Sequence, residues 1–155
     1  MINCQQLSDL IIKPALEDLL LYSEDAVELL LFTCANESQG GTYLKQIKGP
    51  ALGIFQMEPK TYNDIWQNFI AYRNDIRLRI IHQFGIQSMP SEDRMVYDLR
   101  FATAMARLHY ERINAPLPSK DDPHSIWDYY KTYYNSSLGR AEQPHAQLLY
   151  EQFKA

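Results

Sequence analysis

Glu37 and Ser38 close an apolar helical stretch, and Ala51-Leu52-Gly53-Ile54-Phe55-Gln56-Met57-Glu58-Pro59-Lys60-Thr61 follows a glycine-marked connection. At the negative end of a helix the dipole disfavours an ionised carboxylate, and apolar surroundings disfavour it further. Glu37 is therefore placed to be an acid of raised pKa that can give up a proton near neutral pH. Cleavage of a glycosidic bond needs such a group, because the departing sugar oxygen leaves poorly until it is protonated. Gln56, in a loop turned by Gly53, supplies a flexible amide that can hold sugar substituents. The plain alternative is a solvated glutamate at a helix end.

Competing chemistry is thinly represented. Glu58, Asp64 and Asp128 are candidates for a second carboxylate, but Glu58 reads as a solvated residue before Pro59 and the other two as first-turn helix residues. His82, His109, His124 and His145 are scattered, with no His-Glu-x-x-His or paired-cysteine spacing, so no metal and no cofactor are expected. Neither a nucleophile elbow nor a phosphate loop is present. Tyr129, Tyr130, Tyr133, Tyr134 and Tyr150 divide evenly between a sugar-stacking surface and ordinary packing.

The elements that must position these groups are helical. Apolar residues recur at spacings of three and four, without convincing alternation, which predicts an all-α domain. Leu7, Leu10, Ile11, Leu16, Leu19 and Leu20 mark a first helix ending near Tyr22, with Pro14 beginning its regular part or kinking it. Ser23 is an N-cap for a second helix reaching about Asn36, with Glu24 and Asp25 complementing its positive end. Val27, Leu29, Leu30, Leu31 and Phe32 make that helix apolar on nearly all sides, as a buried central helix must be. Gly40-Gly41, Gly49-Pro50 and Gly53 turn the long connection up to Phe55. Core stripes return at Ile65, Trp66, Phe69 and Ile70, then at Ile76, Ile80, Ile81 and Phe84. One long helix is predicted over Ser91 to Ile113, another over Ile126 to Tyr134, and a last one through Ala146, Leu149, Tyr150 and Phe153 after Gly139.

Composition bounds the partners. The 155 residues, 46% apolar and 22% charged, fit one domain over 1–155 with a real core. A formal net charge of −4 gives no basic field for nucleic acid or an anionic surface, so binding is expected in a groove. Cys34 lies inside the apolar helix and reads as a buried thiol rather than half of a disulfide with Cys4. Met1 to Leu10 lacks a basic n-region and long apolar h-region, and no apolar run approaches a membrane span, so neither a secretory signal nor membrane insertion is expected.

Three ordered motifs resemble those of the soluble lytic transglycosylases, whose fold is similar to goose-type lysozyme. The first is the Glu-Ser pair, here Glu37-Ser38. The second, roughly Gly-Ala-x-Gly-Leu-Met-Gln-x-x-Pro-x-Thr, meets Pro50 to Thr61, with Pro50 and Phe55 differing. The third, Ala-Tyr-Asn-x-Gly-x-Gly-x-Val, meets Tyr133 to Ala141 with Tyr134, Asn135 and Gly139 in register and Ser137 in place of its first glycine. Ile47 stands where the family usually has a serine, so one polar contact to glycan or acid is either missing or supplied by another residue, such as Thr42 or Gln46.

The resemblance implies a lysozyme-like helical fold, peptidoglycan glycan strands as substrate, and Glu37 as the catalytic acid and base. It implies substrate-binding roles around Ser38, Gly53, Phe55, Gln56, Met57, Tyr134 and Asn135, with Ser38 chiefly organising the loop. Tyr134 would hydrogen-bond Glu37 or an acetamido carbonyl, and Gly53 would let the main chain approach the sugar. Glu37 would point into a groove walled by Gly53 to Met57 on one side and Tyr134 on the other. A hydrolytic lysozyme of the same fold and a non-catalytic glycan-binding or structural module of a phage particle remain as alternatives. Without an expected secretory signal, the chain would be made in the cytoplasm and reach the wall after release, or as part of a bacteriophage virion among its proteins.

Overall fold

The computed structural model describes residues 1–135 and 140–155. Among these residues the fold is all-α, without named strands. Its helices are α1 (Cys4–Leu7), α2 (Lys13–Asp18), α3 (Glu24–Ser38), α4 (Pro59–Asn68), α5 (Asn74–Phe84), α6 (Arg94–Tyr97), α7 (Leu99–Glu111), α8 (Pro123–Tyr130) and α9 (Gln143–Lys154). Wider π-helical turns follow α1 (Ser8–Ile12) and α8 (Lys131–Asn135).

The α3 helix is the axis of the molecule, packed against α7, α8 and α9. Ala26, Val27, Leu29 to Phe32, Cys34 and Ala35 are all buried, which explains why its sequence lacks a polar face. Ser23 caps it as expected, accepting from the Ala26 amide at 3.0 Å. The other end closes on Gln39 in the left-handed conformation (φ 50°), so Glu37 belongs to the last turn.

Two boundaries differ from the sequence expectation. The first helical run ends at Asp18, and Leu20 is not part of it: φ is 56° and 71% of its surface is exposed. Leu20 N–H donates to Glu17 O and Leu21 N–H to Leu16 O, both at 3.0 Å, the paired closure that usually advertises itself with a glycine. Pro14 neither ends the run nor leaves it unsupported. It stands in the first turn of α2, beginning the regular part as one of the two expectations had it, and the Leu10 carbonyl in the preceding π-turn accepts from Arg100 Nη2 at 3.3 Å.

The predicted long helix over Ser91 to Ile113 is two helices. Asp98 leaves the helical conformation (φ −109°, ψ 97°) and its carboxylate accepts from the Phe101 amide at 3.0 Å, starting α7 afresh. Arg94 Nε donates to the same side chain at 3.0 Å, so the break is tied on both sides. Its consequence reaches the connection after α3: Gly53, at φ +78°, lies so close to the Met95 carbonyl that a Cβ there would sit 2.3 Å from the oxygen.

Candidate active site

Glu37 stands at the floor of a cleft of about 500 Å³. One wall is the connection between α3 and α4, contributing Gln46, Ala51, Gln56, Met57, Glu58 and, at the start of α4, Thr61. The other is His109 of α7 with Tyr134 and Asn135 of the second π-turn. Of the groove expected from the sequence, Gln56 and Met57 from the Gly53 to Met57 wall line one cleft with Glu37 and Tyr134.

The first wall is a braced loop. Leu52 and Met57 exchange backbone hydrogen bonds (2.9 and 3.0 Å), and Gly53 N–H donates to Leu44 O at 2.7 Å. Ser38 anchors it from beneath. Its hydroxyl is fully buried, donates to Ile54 O at 2.6 Å and accepts from the Gly41 amide at 2.9 Å. Three residues expected to bind substrate therefore lie behind the cleft surface. Ser38 and Phe55 are enclosed in the core, and the close approach that Gly53 permits is to Met95, not to the cleft. Gln56 does line the cleft, in a left-handed conformation (φ 47°), with its Nε2 donating to Gly53 O at 2.9 Å. Gln46 lines it as well, so of the two side chains considered as substitutes for the serine missing at position 47, Gln46 reaches the cleft, while the Thr42 hydroxyl is spent on Gln39 O.

The tyrosine that holds the acid is not the expected one. Tyr130, at the end of α8, donates from its hydroxyl to Glu37 Oε1 at 2.8 Å. Tyr134, one turn later, donates to Phe55 O at 2.6 Å and so fastens one wall of the cleft to the other. The two rings are nearly parallel (16°), with centroids 6.2 Å apart. Phe32, on the same helix as Glu37, meets the Tyr130 ring edge-on at 5.4 Å, which fixes the phenol's approach. Residues 130 and 134 share one helical stripe, so spacing alone does not say which reaches α3. The remaining motif residues, Ser136, Ser137, Leu138 and Gly139, lie outside the described residues.

Burial pushes the Glu37 carboxyl up to about 7, against an ordinary 4.5, while hydrogen bonding from Tyr130 and Asn135 pulls the other way. The residue keeps some surface in the cleft, yet its carboxyl group is largely withdrawn from water. Desolvation thus outweighs the donors, and the acid is half protonated near neutrality. The Tyr130 phenol, buried and facing this carboxylate, is held far above the range in which it could ionise, and acts as a fixed donor.

His109 was missed by the sequence reading, in which the histidines were merely scattered. It is buried, its Nε2 lies 2.8 Å from Tyr133 O and its Nδ1 3.0 Å from Arg112 Nη2. A carbonyl and a guanidinium as partners require the neutral form with the proton on Nε2. Burial, first, pushes its pKa down to about 4.

Of the other carboxylates, Glu58 lines the cleft and is exposed, Asp64 pairs with Arg112 in an adjoining groove, and Asp128 pairs with His124 at 3.3 Å on the surface. Tyr129, Tyr130 and Tyr150 are buried in packing and Tyr133 is half-buried away from the cleft lining, whereas Tyr134 lines the cleft. Among the described residues no cluster of three or more metal-binding side chains occurs, and no helix is long and apolar enough to cross a membrane. No protein-family model, no curated protein and no solved structure matches this chain.

Proposed function

We propose that this chain is a lysozyme-like enzyme of lytic transglycosylase type that cleaves the β-1,4 bond between N-acetylmuramic acid and N-acetylglucosamine in peptidoglycan. The observation that carries the proposal is Glu37: a desolvated carboxylic acid with pKa near 7, aimed into a polar cleft and held by the Tyr130 hydroxyl. In its protonated form Glu37 gives its proton to the glycosidic oxygen as the bond from that oxygen to the muramoyl C1 breaks. The carboxylate so formed then takes the proton of the muramoyl 6-hydroxyl, whose oxygen closes on C1. The products are a 1,6-anhydro end and a free 4-hydroxyl, no water is consumed, and Glu37 regains its proton. One carboxyl group therefore does the work that most glycosidases divide between two.

Cleft residues support the same reading. The amide of Gln56 and the side chains of Gln46 and Asn135 offer neutral donors and acceptors suited to hydroxyl and acetamido groups, and Tyr134 adds an aromatic side chain to the lining. The substrate would reach the cleft after release of the protein to the wall, or from its place in a virion.

Glu58 on the cleft lip favours a second reading, a hydrolytic lysozyme in which that carboxylate assists a water. Mass spectrometry of purified peptidoglycan treated with wild type and Glu37→Gln separates the outcomes. Muropeptides lighter by one water and dependent on Glu37 are expected. Reducing-end products would transfer the assignment to a lysozyme. Absence of Glu37-dependent release from several wall types would refute catalysis and leave a glycan-binding or structural module.

A further inference from the structure

The second π-turn (Lys131–Asn135) carries Tyr134 and Asn135, which line the cleft with Glu37. What holds it in place comes from another helix. Tyr133 O, inside the turn, faces His109 Nε2 of α7 at 2.8 Å, and the His109 ring meets the Tyr134 ring edge-on at 4.7 Å. The imidazole is itself fixed from behind: Arg112 Nη2 donates to Nδ1 at 3.0 Å, and Arg112 Nη1 donates to the Asp64 carboxylate of α4. This chain of contacts joins α4, α7 and the turn, and ends beside the acid without touching it.

We infer that His109 is a positioning residue for Glu37, holding the Lys131–Asn135 turn through the Tyr133 carbonyl so that Asn135 and Tyr134 keep the acid covered. The inference rests on the reading of Glu37 as the working acid. Three features distinguish the histidine from an ordinary core residue. It binds a backbone carbonyl of the turn rather than one of its own helix. Both ring nitrogens are engaged, so the ring cannot flip without losing two contacts. Its proton is required on Nε2, and the Arg112 guanidinium, which donates and cannot accept, enforces that tautomer from Nδ1.

The groups that face Glu37 are the Tyr130 hydroxyl, the Asn135 amide and the buried phenols of Tyr110 and Tyr134; those that face His109 are Arg112, Asp64 and the Tyr133 carbonyl. Of the Glu37 set, Tyr130 belongs to α8 and stays put, whereas Asn135 and Tyr134 move with the turn. Releasing the turn takes away the Asn135 donor, which holds the Glu37 pKa down, but it also admits water to a carboxyl whose pKa is raised chiefly by desolvation; the larger cause decides, and the pKa falls.

The test is the Glu37 titration itself, read by the side-chain carboxyl carbon shift in wild type, His109→Leu and His109→Gln. Leucine fills the space without a donor. Glutamine places an amide N–H near the position of Nε2 and can restore the bond to Tyr133 O. The leucine variant is expected to titrate about one pH unit or more below wild type, and the glutamine variant to return most of the way. Should the leucine variant not fold, His109→Asn, whose amide stops short of Tyr133 O, takes its place with the same expectation. Equal Glu37 midpoints in wild type and in the variant lacking the bond would overturn the inference, as would failure of glutamine to restore a displaced midpoint. The readout needs no turnover, so inactivity of the wild type toward peptidoglycan would defeat the cleavage proposal without deciding this one.

Discussion

Replacing Glu37 by glutamine should make the protein more stable, and by an amount that depends on pH. Folding raises the Glu37 pKa from 4.5 to about 7. A group raised in the folded state contributes its full stability below 4.5 and loses it as pH rises through 7, because the unfolded chain then sheds a proton that the folded one retains. Each pH unit between the two values corresponds to about 1.4 kcal/mol, so the ionised carboxylate costs the fold about 3 kcal/mol above neutrality, trimmed toward about 2 by water at the cleft mouth. Glutamine keeps an oxygen for the Tyr130 hydroxyl and carries no charge. His109 works in the opposite sense. Its pKa falls from 6.5 to about 4, so its contribution is complete above 6.5 and is lost as pH drops through 4. Between 4.5 and 6.5 the two slopes oppose, and their sum in the wild type is nearly flat. The Glu37→Gln variant removes one of them and should gain stability steadily across that interval. Urea unfolding of both proteins at pH 4.5, near neutrality and at about pH 8 isolates the difference, since every other group titrates alike in the pair. The gap should grow from near zero to about 2–3 kcal/mol. A gap that does not change with pH, or that favours the wild type at high pH, would refute the placement of an unpaired, desolvated carboxyl at the cleft floor.

The hydrogen bond that opposes desolvation has its own signature. In Tyr130→Phe the phenol that favours the ionised form is gone, and since a hydrogen bond to a charged group is worth about 1.5–3 kcal/mol, the Glu37 midpoint should rise by about one pH unit, measurable in the same carboxyl titration. An unchanged midpoint would show that Tyr130 is only packing there. Gly53→Ala combines a positive φ with a Cβ placed 2.3 Å from the Met95 carbonyl, and backbone cannot swing aside as a side chain can. A loss of about 2 kcal/mol or more in unfolding free energy is expected, with native-like stability counting against the close approach of this loop to the break between α6 and α7.

Much of this arrangement was legible in the linear chain because it depends on neighbours. The uninterrupted apolar run of α3 demanded a buried helix, Ser23 with Glu24 and Asp25 announced its start, and Glu37 at its far end is a matter of counting residues. The paired turns after Gly40, together with Gln56 and Met57, marked a loop that had to face something. Cys34 on the inner face of α3 was expected buried and is. Each is a local rule in which propensity, capping and burial agree.

Tertiary structure decided what depends on contacts distant in sequence. A leucine closes α2 in the left-handed conformation because the fold needs a turn there, and no glycine signals it. Asp98 splits a helix that periodicity alone would continue, its carboxylate serving both the Phe101 amide and Arg94. Tyr130 rather than Tyr134 reaches Glu37, a choice between two phenols on one stripe that only the rotation of α8 against α3 makes. Tyr130, which holds Glu37, lies 93 positions away in the chain, and His109 meets the Tyr133 carbonyl of the neighbouring turn across 24; both contacts are made only by packing. Sequence determines which groups can do chemistry; desolvation and orientation, which set whether they do, exist only once the helices have met.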